Sequence, residues 1–123
     1  MVGPLYIGSV ARLEIGSNVW IGRNFSVYGN GKVVLKNNID IAPDVAFATG
    51  SHQISSDSTR RAGSGISYTM VVENGVWIGV RATIIGNTII ESGTVIGACS
   101  LVNKSIKGDG VYVGIPATKI KEI

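Results

Sequence analysis

The chain has 123 residues and 45% apolar side chains, the size of one ordinary domain with enough apolar material for one core. Eleven Lys and Arg stand against eight Asp and Glu, and apart from short clusters at Lys104 to Lys107 and Lys119 to Lys121 they are dispersed, which excludes the concentrated basic stripe of a nucleic-acid footprint. The single cysteine excludes an intrachain disulfide and suits a reducing compartment.

The N-terminal stretch MVGPLYIGSVARLEIG has no basic start followed by an apolar run. No segment reaches the roughly 20 apolar residues of a membrane span. The expectation is one domain over 1–123, cytoplasmic and without a membrane span. Seventeen glycines beside abundant Val and Ile call for a regular structure that uses both. From Ile15 onward it shows itself as a period of six. Ile15, Ile21 and Val27 hold one register, and Leu35, Ile41 and Phe47 resume it two residues late, which predicts an expanded turn near Gly29 to Lys32. A helix repeats its apolar positions about every 3.6 residues and a half-buried strand about every second. A strict six fits neither, and predicts a coil of short strands joined by tight bends.

The first run of hexads ends at His52, the only histidine. From about 53 to 70, QISSDSTRRAGSGISYTM, polar and small residues replace the column and predict an exposed loop. A loop of that length inside a compact fold is a candidate functional segment. Beyond it Val72, Ile78, Ile84, Ile90, Ile96 and Val102 form an unbroken aliphatic column. Four positions further along each hexad, Val76, Ala82, Thr88, Thr94, Ser100 and Ile106 are mostly small. Stacked at the inter-strand spacing of about 4.8 Å the column becomes an internal ladder, and about 105 repeat residues at three hexads per coil predict roughly six coils along some 29 Å. Cys99, three places after Ile96 and between Ala98 and Ser100, is expected to pack.

The runs IAPDVAFATGSH, VVENGVWIGVRATI, VIGACSLVNKSI and VYVGIPATKIKEI, in this order, resemble the hexapeptide-repeat acetyltransferases that modify sugars, over Ile15 to Ile123. The resemblance implies an all-β, left-handed parallel β-helix with one long loop after His52, a homotrimer, and acetyl-coenzyme A held as acyl donor between neighbouring chains, with no metal. The general rule for parallel crossovers predicts the right hand, so the left hand rests on the resemblance alone. The implied reaction is direct transfer of an acetyl group to a hydroxyl of a sugar or polysaccharide precursor. Such a transfer removes the hydroxyl proton as the oxygen attacks, a task that suits a neutral imidazole. His52 matches the family's catalytic position.

By the same resemblance Trp77 lies beside the pantetheine arm, although Trp20 in NVWIG is its twin in the repeat, and a tryptophan covering the core edge explains both equally. Gly79, Ala98 and Gly114 align with places where the family brings backbone close to the cofactor, and the Val80 amide is the implied oxyanion donor. Lys104 and Lys121 match basic positions that meet the cofactor's phosphates. Two departures stand out: Thr118 replaces a usual Lys or Arg, with Lys119 as a substitute, and GNTII replaces the usual proline-glycine turn after Ile84 and Ile85. For the acceptor, Arg60 and Arg61 offer forked donors to an acidic sugar or a phosphate, and Asn24 and Asn30, about one coil before His52, are candidates to contact hydroxyls.

Three other readings of the repeat differ in what they require. A zinc site takes three protein ligands plus water, more than one histidine and one cysteine supply. A non-catalytic scaffold would show long ranks of exposed threonine, of which Thr88 and Thr94 make only a pair. A regulatory tail of a nucleotidyltransferase would need a glycine-rich nucleotide-binding partner.

Overall fold

The computed structural model describes residues 1–123, which form strands, turns and bends and no helix. The first turn of the coil holds β1 (Leu5–Ile7), β2 (Arg12–Ile15) and β3 (Val19–Ile21), and the second β4 (Phe25–Tyr28), β5 (Lys32–Leu35) and β6 (Ile39–Ile41). After β7 (Ala46–Ala48) the chain leaves the coil through β8 (Gly50–Ile54) and β9 (Ala62–Ser67) and returns as β10 (Thr69–Val72) and β11 (Trp77–Ile78). Next come β12 (Thr83–Ile85), β13 (Ile89–Ile90) and β14 (Val95–Ile96), and finally β15 (Leu101–Val102), β16 (Gly110–Gly114) and β17 (Ala117–Glu122).

Three parallel sheets result, one on each side of the coil. The first face stacks β1, β4, β7, β12 and β15; the second stacks β2, β5, β10 and β13; the third stacks β3, β6, β11, β14 and β16, with β17 antiparallel along its last edge. The first face therefore has five strands, one fewer than the roughly six coils expected, because the last residues fold back as antiparallel β17 instead of continuing the coil and the two early turns each absorb two extra residues. Ile7 lies over Val27 and Val27 over Phe47, 20 residues apart each time. Trp77 lies over Val95, only 18 apart. The surplus sits where the register slip predicted it, between Val27 and Leu35, and again between Ile7 and Ile15. Both are corners joining the first face to the second.

The aliphatic column is internal. Val72, Ile78, Ile84, Ile90, Ile96 and Val102 are all 0–1% exposed, and burying each such side chain stabilises by about 1.5–3 kcal/mol. The small fourth position is buried with it, from Val76 to Ile106. Tight bends put side chains into the left-handed region, where Asn and Asp are the most tolerant after glycine. Asn18, Asn24, Asn38 and Asp44 occupy such corners with φ of 55–62°, and Asn24 Nδ2 donates to Asp44 Oδ1 one turn on, at 2.9 Å.

Four expectations need correction. Ile15 is 42% exposed, since β2 is the edge strand of its sheet. Met70, assigned to the loop, is fully buried and belongs to β10. The loop itself is mostly a two-stranded antiparallel arm, β8 with β9. Cys99 does not pack: it is exposed and sits at a corner with φ 59°, because the third place after an inward residue is where the coil bends.

Candidate active site

The arm springs from the same corner that carries the two-residue surplus. Its neck is Thr49, which is fully buried: its hydroxyl donates to the Tyr28 carbonyl at 2.6 Å and accepts the Gly31 N–H at 2.9 Å. Tyr68 N–H donates to Thr49 O at 2.7 Å and closes the neck from the other strand. A Cβ on Gly31 would fall 2.1 Å from the Tyr68 carbonyl and 2.7 Å from Thr49 Cβ, so only glycine lets corner and neck meet. At the tip, Asp57 accepts from the Thr59 hydroxyl and amide at 2.7 and 2.9 Å, and these bonds hold its carboxyl below the usual range. Arg61 Nη1 donates to the Ser55 and Ser56 carbonyls at 3.1 and 3.3 Å, so it buckles the tip. Arg60, its neighbour on the exposed turn, makes none of the chain's three ion pairs.

His52 lies on β8 opposite Gly65. Its Nδ1 is 2.8 Å from the Gly63 carbonyl. A carbonyl only accepts, so in the neutral ring Nδ1 carries the hydrogen and Nε2 keeps its lone pair. Beside it opens a cleft of about 450 Å³ lined by Tyr28, Asn30, Ser51, His52, Ile66 and Ser67 among others, with no Lys, Arg, Asp or Glu. Asn30 is thus brought to His52 and Asn24 is not: Asn24 stands at the corner between the third and first faces, held by Asp44. Tyr28 was missed by the sequence reading. The signal was there, since Val27 faces inward and therefore turns Tyr28 outward one turn before the arm. Tyr28 is 49% exposed, and its ring centroid lies 5.4 Å from that of Tyr6.

The other singled-out residues gather elsewhere. Val80 and Ala98 lie at the corner entering the first face, on the opposite edge of that sheet from His52, with Gly114 at the end of β16. The carbonyl of Val80 accepts Cys99 N–H at 2.8 Å, while the amide of Val80 donates to nothing in the chain. Gly79 has an internal explanation: a Cβ there would fall 2.8 Å from Ala98 N and Ile96 O. Trp77 projects from the third face, 56% exposed. Lys104 and Lys121 are exposed and unpaired, but Lys119 is held by Glu122 at 2.6 Å, a bond that raises its pKa and occupies the charge offered as a substitute at Thr118.

Residues 69–104 match the family model described as bacterial transferase hexapeptide (six repeats). The chain is 31% identical over 120 residues to the galactoside O-acetyltransferase of Escherichia coli K12, covering 98% of this chain and 59% of that one. It superposes on the structure of a galactoside acetyltransferase in complex with coenzyme A with TM-score 0.86 and 30% identity, over 99% of this chain and 60% of the other. A hexapeptide-repeat acetyltransferase from Vibrio cholerae complexed with acetyl-coenzyme A gives TM-score 0.86 and 28% identity, over 99% of this chain and 67% of the other. The chain spans little more than half the length of the first curated relatives it matches.

Proposed function

We propose that this parallel β-helix, similar in sequence and fold to hexapeptide-repeat acetyltransferases, transfers an acetyl group from acetyl-coenzyme A to a hydroxyl of a sugar or related acceptor, with His52 as general base. The observation that carries this reading is the bond from Nδ1 to Gly63, which leaves the Nε2 lone pair free on a histidine that lines a cleft with Tyr28, Asn30 and Ser51. His52 Nε2 takes the hydroxyl proton as the acceptor oxygen bonds to the acyl carbon. When the carbon–sulfur bond breaks, the imidazolium returns that proton to the leaving sulfur, so the step closes without a covalent enzyme intermediate. The uncommitted Val80 amide supplies a donor to the oxygen that gains charge, and the small surfaces of Ala98 and Gly114 leave room for the donor's arm. The exposed ammonium groups of Lys104 and Lys121 suit its phosphates.

His52 is on the arm that leaves one side of the first face and Val80 is at the corner on its other side, so the site is composite: the base of one chain meets the donor-binding corner of a neighbour in a homotrimer. Ligand sites are concave, and a bare coil has no second lobe to enclose a large donor. The unpaired thiol fits a cytoplasmic setting.

Thiol release from acetyl-coenzyme A against a panel of sugars tests the chemistry. His52→Ala should fold and lose at least about a hundredfold in turnover, and Cys99→Ser should keep most of it. A dead Cys99→Ser beside a live His52→Ala reverses the mechanism.

A further inference from the structure

The outward row of the third face differs from the rest of the surface. Register sets Trp20 beside Asp40 and Asp40 beside Trp77, and the two indoles are 52% and 56% exposed. Strand spacing puts their backbones roughly 9.6 Å apart with the carboxylate between them. The indoles alternate with the inward neighbours Ile21 and Ile78, which are 1% and 0% exposed, and so lie on the outer side of the sheet. Asp40 enters none of the chain's three ion pairs.

On the Trp20 side of this row opens a cleft of about 410 Å³, bordered by Trp20, Asp40, Asn18 and Asn38. Asn18 Nδ2 donates to Asn38 Oδ1 at 2.8 Å. That bond orients both amides and leaves Asn18 Oδ1 free to accept and Asn38 Nδ2 free to donate. One indole, one carboxylate and a hydrogen-bonded pair of amides with one acceptor and one donor to spare therefore border a single hollow. A pyranose presents the complementary pattern, a flat C–H face bounded by hydroxyls that both donate and accept. A phosphate would be repelled by Asp40, and a simple cation would leave the Asn38 donor unmatched.

We propose that this cleft is a saccharide subsite that takes one neutral hexopyranose unit, its C–H face on Trp20 and adjacent hydroxyls on Asp40, with the Asn18 and Asn38 amides completing the edge. The subsite lies on a different face from the arm cleft and does not depend on the role of His52.

Saturation-transfer NMR with methyl α-glucopyranoside, methyl β-galactopyranoside and maltotriose, without acyl donor, tests it. Saturation should reach the ring C–H protons of at least one sugar, and should do so in His52→Ala as well, which separates this cleft from the one at the arm. Trp20→Ala should weaken the apparent affinity about tenfold and Trp20→Phe should retain most of it; Asp40→Asn should weaken it severalfold. An undiminished signal in Trp20→Ala overturns the proposal, and so does silence with all three sugars. Silence together with loss of self-association in Trp20→Ala, read by sedimentation, assigns the row to contact between copies instead.

Discussion

Thr49 and Thr88 are both buried threonines, and their hydroxyls have opposite consequences. Thr49 answers a buried Gly31 N–H and the Tyr28 carbonyl. Thr49→Val keeps the shape but strands that N–H, at a cost of about 1–3 kcal/mol, and it loosens the neck of the arm. Thr88 Oγ1 is buried with no partner, so Thr88→Val removes an unsatisfied group and should be neutral or stabilising by about 1 kcal/mol. Urea midpoints of the two variants, at unchanged slope, give the comparison; a similar loss in both contradicts the assigned roles. In the sequence both are simply threonines among small residues. What separates them is which backbone group the adjoining turn presents, and that depends on turn length. The same limit applies to Cys99: its place in the hexad was legible, but whether that place is wall or corner was not.

Among the elements, the ladder of inward residues was the most legible, because between one expanded corner and the next a period of six places each inward side chain on the same column. Ile90 is 1% exposed. Ile90→Asp buries an unpaired carboxylate at a cost of several kcal/mol, on the order of the whole stability, and should leave the chain unfolded at room temperature. Glu91 beside it accepts from Gly108 N–H at 3.3 Å and pairs with Lys107 at 3.4 Å on the surface. Surface pairs of this kind contribute about 0–1 kcal/mol, so Glu91→Ala should melt within a few degrees of the parent. Similar melting curves for the two variants would mean the column does not face inward. The arm was legible only as a departure from the repeat. Ile54 is 86% exposed and the strands bury no face of their own, so no alternation marked them; their pairing is written in backbone hydrogen bonds.

For the whole molecule, the distribution of candidate groups along opposite edges of the first face makes a strong prediction about assembly. His52→Ala removes the proposed base, and Ala98→Trp fills the exposed corner where the donor is proposed to lie. Each protein alone should be inactive. Unfolded together and refolded, mixed assemblies of the proposed trimer would contain some sites whose histidine and donor corner are both unaltered, so part of the parent activity should return. If mass spectrometry shows mixed trimers and thiol release stays at background, both elements act within one chain and the composite site is wrong.

The period of six determined from sequence alone that this chain coils, which side chains face in, where the register slips and where the coil is interrupted, because each depends on positions close together along the chain. Handedness came from resemblance. Only the tertiary structure decided that His52 and Asn30 share a cleft while Asn24 does not, that Thr49 anchors the arm, and that Trp20, Asp40 and Trp77 form one row. Those neighbours are 20 and then 37 residues apart. The slip in the inward pattern records the extra residues of a corner, but not which residues the arm takes out of the coil, and the second offset depends on that.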